Sequence, residues 1–190
     1  MNMKKKETAK ERILRTATEL FYKEGVRAVG IDRIIEESGV AKASFYRSFA
    51  TKDDLVVAYL EKYYHAFMKP FEEAEQRHPK SPLDQLYEVI ESLSSRIEQP
   101  GYRGCPFLNT AVEFPDENHL SHEPVVTYHR EMRRRLKEIA ERAGAKDPDA
   151  LSAQLLMLFN GALMSAYLER ASYIPDHFRN AAKLMIEQQT

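Results

Sequence analysis

Gly25 to Asp54 read GVRAVGIDRIIEESGVAKASFYRSFATKDD. Ile31, Ile34 and Ile35 form a short amphipathic segment, Gly39 breaks it, and Lys42 to Phe49 has the spacing of a second short helix. Two short helices joined by a tight glycine-containing turn make a helix-turn-helix, whose second helix enters the DNA major groove. That second helix exposes Lys42, Ser44 and Arg47 while Phe45 and Phe49 turn inward. A small cationic probe thus stands on an apolar footing. The motif spans about residues 31–50 and points to a nucleic-acid partner.

Charge supports this reading. The chain of 190 residues carries a net charge of −1, but residues 1–52 hold 12 Lys and Arg against 7 Asp and Glu, and the remainder holds 16 against 22. A basic N-terminal module on an acidic body presents one end to phosphate. The division expected is a DNA-binding domain over residues 1–52 and a second domain over residues 53–190. The single cysteine, Cys105, allows no internal disulfide and fits a reducing compartment. The start MNMKKKETAKE has no apolar core, and Leu155 to Leu168 is interrupted by Asn160, Gly161 and Ser165, so a cytoplasmic protein without a membrane span is expected.

Helical spacing continues on both sides of the motif. A first helix, about Glu7 to Glu24, aligns Ile13, Leu14, Ala17, Leu20 and Phe21, and Gly25 closes it. A long helix follows to about Arg77, with Asp53 and Asp54 placed favourably against its dipole. Ser81-Pro82 and Asp147-Pro148 are caps followed by Pro at the first helical position, opening helices to about Glu98 and through Leu168. A short helix from Phe107 ends before Pro115, a charged helix runs from Pro124 or Val125 to Gly144, and Pro175 starts the last. About nine helices and no strand make the chain all-α.

The positions from Ile13 to Leu55 carry a specific resemblance: Ala17, Leu20-Phe21, Gly25, Ile31, Ile34, Gly39-Val40, Phe45-Tyr46, Phe49, Lys52 and Leu55. In this pattern the chain resembles the TetR family of bacterial transcriptional regulators. The resemblance implies that Tyr46 and Lys52 bond backbone phosphates, and that Lys42, Ala43, Ser44 and Arg47 form the exposed face of the recognition helix. Ser44 and Arg47 are then the side chains that reach base edges, while phosphate contacts fix register without reading sequence. Arg27 and the Lys4-Lys5-Lys6 arm are further phosphate candidates. Gly30 and Ala41 stand where many members have a capping Ser or Thr, and Ala costs about 1 kcal/mol relative to Ser at such a position.

The resemblance also implies a ligand-binding and dimerisation body: a homodimer on a pseudo-palindromic DNA operator, usually a repressor, released by a small-molecule effector. Two recognition helices about one DNA turn apart are what such an operator requires. The helix from Asp149 to Glu169 is apolar nearly all round and must be buried on every side, in one domain or against a second subunit. Leu151, Leu155, Leu158 and Ala162, with Phe178, Ala181 and Met185 of the last helix, are the dimer candidates. Tyr64, Phe67, Met68, Cys105, Phe107, Tyr128, Met132 and Phe159 suit the lining of an apolar or aromatic effector site, with Asn109 and Glu113 as polar anchors one helical turn apart. The same residues also suit plain core.

Two other functions compete. His119, His122 and His129 suggest a metal-dependent helical enzyme, although their spacing matches no compact zinc pattern. An effector-independent DNA-binding activator is the other. No nucleophile elbow, phosphate loop or zinc-protease motif occurs, so neither catalysis nor a cofactor is expected. The Arg133-Arg134-Arg135 run reads as a solvent face laced by Glu131–Arg135, Arg134–Glu138 and Glu138–Arg142 pairs.

Overall fold

The computed structural model describes residues 7–190, so the Lys4-Lys5-Lys6 arm lies outside the described residues. Among these residues there are nine α-helices and no strand: α1 Ala9–Glu24, α2 Ile31–Ser38, α3 Lys42–Ser48, α4 Lys52–Arg77, α5 Pro82–Ile97, α6 Pro106–Glu113, α7 His122–Arg142, α8 Pro148–Glu169 and α9 Pro175–Gln189. A 3-10 turn, Arg170–Ser172, follows α8. The chain forms two compact units. One runs to Tyr63 and includes Pro106–Val125; the other comprises Tyr64–Cys105 and Val126–Thr190.

In the first unit the helices start and stop for local reasons. Thr8 caps α1 in a reciprocal capping box: its hydroxyl accepts from the Glu11 N–H at 3.2 Å, and its own N–H donates to the Glu11 carboxylate at 2.7 Å. Gly25 ends α1 at φ +93°, a conformation that side chains resist. Gly39 ends α2 in the left-handed region at φ +62°. Thr51 and Asp54 exchange bonds at the head of α4, at 2.9 and 3.1 Å, so Asp54 acts through direct contact as well as through the dipole. Ile13, Ala17, Ile34, Phe45, Leu55 and Val56 are completely buried. Burying an aromatic such as Phe45 contributes about 1.5–3 kcal/mol, and this holds the short α3, which is too short to persist alone.

The second unit packs α5, α8 and α9 around Leu86, Val89, Leu93, Leu151, Leu155, Phe178 and Ile186, all buried. Ser81 and Asp147 cap α5 and α8 ahead of Pro82 and Pro148, as the sequence indicates. The buried Gln85 amide is satisfied on both sides, donating to the His78 carbonyl at 2.7 Å and accepting from Arg142 at 2.8 Å. Among the described residues Arg142 forms no ion pair with Glu138, contrary to the spacing argument; of Glu138 it meets the carbonyl, at 3.4 Å, and its carboxylate neighbour is Glu75, at 3.6 Å. The other two expected pairs form, Arg134 with Glu138 and Arg135 with Glu131. Helix α7 begins at His122, ahead of the expected Pro124, because a first-turn N–H has no intrahelical partner and Pro loses nothing there.

Pro70 lies inside α4. It has no N–H for the carbonyl of Ala66, four residues earlier, and Arg96 of α5 donates to that carbonyl instead. The span Pro148–Ser172 is long and apolar enough to cross a membrane by composition, yet 44% of its most apolar window is buried within the chain.

Candidate nucleic-acid interface

Helix α3 presents Lys42, Ala43, Tyr46 and Arg47 to solvent, with Ser44 half-buried beside them. Phe45 is fully buried and Phe49 nearly so, and the Tyr46 ring packs edge-on against Phe45 at 5.3 Å. Arg47 donates to the Ser44 hydroxyl at 2.9 Å, which orients the guanidinium before any partner arrives. Among the described residues Arg47 meets no carboxylate. Arg33 contrasts with it. Its guanidinium is held by Glu24 at 2.5 and 2.8 Å and by Glu37 at 2.7 Å, tying α2 to the end of α1. Lys42 lies 3.3 Å from Asp32, but both are well exposed and such a pair contributes little.

Lys52 is half-buried with its amine 5.9 Å from the Phe21 ring centroid. Burial lowers the amine pKa, opposed by the nearby carboxylates of Glu113 and Asp53. Gly30 and Ala41 are N-caps without a side-chain bond, as the sequence indicates. A Cβ at Gly30 would meet nothing within 4 Å, so sterics do not demand glycine there.

Within the same unit, α6 and the loop after it form a contact that sequence reasoning missed. The Glu113 carboxylate accepts from the Val26 N–H at 3.1 Å and the Arg27 N–H at 2.6 Å, one oxygen each. These are consecutive amides just past Gly25, where a Cβ would come within 3.1 Å of the same carboxylate. The Arg27 guanidinium lies 5.1 Å from the Phe114 ring centroid, and His119 stacks on the Phe114 ring at 4.1 Å. His119 also faces Asp53 at 3.5 Å and the Ser121 hydroxyl at 2.8 Å. Glu113 thus engages the loop before the helix-turn-helix instead of serving with Asn109 as a cavity anchor, and Asn109 is exposed. Both His119 ring nitrogens have protein neighbours, and among the described residues no three His, Cys, Asp or Glu side chains gather to hold a metal.

In the second unit Phe67 and Tyr128 approach at 5.6 Å, and the Arg96 guanidinium lies 4.2 Å from the Phe67 centroid. Burial raises the Tyr128 phenol well above its ordinary range; Cys105 adds to this and Arg96 opposes it. The cluster includes three of the expected lining residues, Phe67, Tyr128 and Cys105, around a cation that was not expected. Tyr64 is half-buried, while Met68 and Met132 are buried. Phe159 pairs with Phe178 of α9 at 5.8 Å. Phe107 is buried in the first unit's portion of the chain.

Residues 13–59 match the family model described as bacterial regulatory proteins, tetR family, and residues 82–182 match the tetracyclin repressor-like C-terminal domain. The chain belongs to the TetR family. It is 28% identical to the transcriptional regulator AcuR of Cereibacter sphaeroides over 169 residues, covering 85% of this chain and 77% of AcuR. An uncharacterised HTH-type regulator of Lactococcus lactis is 29% identical over 105 residues, and the chain spans only 54% of that protein's length. The TetR-family regulator SCO4454 of Streptomyces coelicolor superimposes with a TM-score of 0.90 at 33% identity, covering 95% of each chain. The protein is a TetR-family DNA-binding transcriptional regulator, with an N-terminal helix-turn-helix and a helical C-terminal domain.

In this TetR-family chain the dimer candidates divide by exposure. Leu151 and Leu155 are 0% and 1% exposed, and Ala162 and Phe178 are also buried, so they have almost no surface left for a second subunit. Leu158, Ala181 and Met185 are half-buried. The exposed apolar positions are others: Met157, Met164 and Leu168 on α8, with Leu184 on α9. Met157, Gly161, Met164 and Leu168 follow one another at spacings of four, three and four, a single helical stripe.

Proposed function

We propose that the protein is a homodimeric repressor, held on a pseudo-palindromic operator and released by a small apolar or aromatic effector bound in its body. The observation that carries the DNA-reading part is the face of α3: an oriented, carboxylate-free Arg47 beside Ser44, on a footing of buried Phe45. Arg47 is the base-reading side chain in this proposal, and a bidentate contact to guanine contributes about 1–3 kcal/mol of discrimination. Tyr46 and Lys52 anchor phosphates, and Arg27, Lys42, Ala43, Ser44 and Gly30 complete the surface. DNA reading resides in residues 1–52, and effector binding and dimerisation in residues 53–190. Such a regulator acts in the cytoplasm.

The stripe of Met157, Gly161, Met164 and Leu168, flanked by Leu158, Ala181, Leu184 and Met185, supports the dimer. Large apolar side chains exposed in a row are unusual on a monomer. Gly161 in the middle lets a partner helix approach closely. The aromatic and cysteine cluster of Phe67, Tyr128 and Cys105 supports effector binding, and within the first unit the Glu113 contact ties α6 to the loop before α2. Shifting α6 removes Glu113 from the Val26 and Arg27 amides and releases the loop that precedes α2.

Selection of random-sequence duplexes by the purified protein tests this reading. The expected product is a pseudo-palindrome with half-sites about one helical turn, ~10 bp, apart or a multiple of it. Enrichment of no sequence would contradict operator reading, and a single asymmetric half-site would contradict the dimer.

A further inference from the structure

Lys10 stands in the first turn of α1, beside the end of the recognition helix. Its ammonium lies 5.5 Å from the ring centroid of Phe49, the residue that closes α3. From Phe49 the rings continue to Phe45 at 6.4 Å, and from Phe45 to Tyr46 at 5.3 Å. The ammonium is therefore less than one DNA turn, ~34 Å, from the Tyr46 ring. Arg47 lies in the last turn of α3 and Lys52 begins α4, so three cations gather about the end of this helix.

Other cations of the first unit are taken up by carboxylates. Arg15, also on α1, is held by Glu7 at 3.0 Å and faces Glu19 at 3.9 Å, and Arg33 is held by Glu24 and Glu37. Glu11, next to Lys10 in sequence, turns back to the Thr8 N–H at 2.7 Å and the Thr8 hydroxyl at 2.8 Å. Lys10 is exposed and forms no ion pair with any described residue. The capping box fixes the turn that carries it, and the Phe49 ring restrains its four-carbon chain. Less side-chain freedom is then lost when an anion arrives.

We propose that Lys10 is a phosphate contact of the DNA-bound protein, its ammonium bonding a backbone oxygen of the half-site that α3 enters. It acts from α1, outside the two helices of the motif. The proposal rests on the DNA-binding function of the family and not on operator reading, effector release or dimerisation, because phosphates are alike at every base pair.

Fluorescence anisotropy of the full-length protein with two duplexes of unrelated sequence, from about 50 to about 200 mM KCl, tests the contact. Lys10→Gln is expected to weaken both duplexes alike, by roughly fivefold at about 100 mM salt. It is also expected to flatten the slope of log affinity against log salt by about 0.9 for each Lys10 that meets a phosphate. Lys10→Arg keeps the charge and is expected to keep the slope. Lys80→Gln removes an exposed cation from the second unit, controls for net charge, and is expected to change neither quantity. A Lys10→Gln slope equal to that of the wild type, an equal loss in Lys80→Gln, a loss confined to one duplex, or no binding by the wild type at the lowest salt would each overturn the proposal. Failure to select an operator would leave these slopes as they are, so the two readings fail separately.

Discussion

Replacing Glu113 by Gln changes one carboxylate oxygen into an amino group while keeping the shape. In the structure each carboxylate oxygen accepts one backbone N–H, from Val26 at 3.1 Å and from Arg27 at 2.6 Å. A glutamine has one acceptor oxygen and two donors, so one of those N–H groups must face an NH₂. A hydrogen bond to a charged acceptor contributes about 1.5–3 kcal/mol, and the Arg27 side of the contact is exposed, which favours the lower end. A local loss of about 2 kcal/mol corresponds to roughly thirtyfold faster amide exchange where local opening governs it. Hydrogen exchange followed by NMR at Val26 and Arg27 measures this directly, with the amides in the middle of α1 as internal controls. The variant is expected to keep α1 protection and lose it at Val26 or Arg27. Unchanged exchange at both amides in a folded variant would refute the idea that Glu113 holds this loop.

Three further outcomes follow from the same geometry. Ala41→Ser adds a hydroxyl at an N-cap that has none, so stability is expected to rise by up to about 1 kcal/mol, or ~2–4 °C in Tm, by thermal melting. Met164→Lys with Leu168→Lys puts two charges in the exposed α8 stripe and is expected to give a monomer by analytical ultracentrifugation, with α-helical circular dichroism retained. Pro70→Ala restores an N–H for the Ala66 carbonyl, so Arg96→Gln should cost less in that background; a double-mutant cycle in urea is expected to show coupling of about 1 kcal/mol, and additivity would contradict the assigned role of Arg96.

How far the sequence could be read depended on the range of the interaction. Helix starts at Ser81-Pro82 and Asp147-Pro148, stops at Gly25 and Gly39, and the buried footing of Phe45 and Phe49 are local, and all were legible. The bare caps at Gly30 and Ala41 were legible for the same reason. The Glu113 contact joins residues 86 and 87 positions apart, and no periodicity reports such a pairing. Arg96 illustrates a half-legible case. Pro70 announces that the Ala66 carbonyl needs another donor, but which of the chain's cations supplies it is a tertiary fact. Helix α8 failed for a different reason: apolar on every side, it has no moment by which its inner face, with Leu151, Leu155 and Phe159, could be told from its outer stripe. The dimer candidates drawn from it therefore mixed the two.

The central claim is that α3 reads base sequence through Arg47 while Tyr46 holds the backbone. The measurement that tests it most directly is the affinity of wild type, Arg47→Ala and Tyr46→Phe for a selected operator and a scrambled duplex, by fluorescence anisotropy at fixed salt. Arg47→Ala is expected to lose about 1–3 kcal/mol of discrimination per half-site, bringing operator and scrambled affinities closer. Tyr46→Phe is expected to weaken both duplexes alike, since a phosphate contact carries no sequence information. Two variants that bind both duplexes as the wild type does would contradict the account.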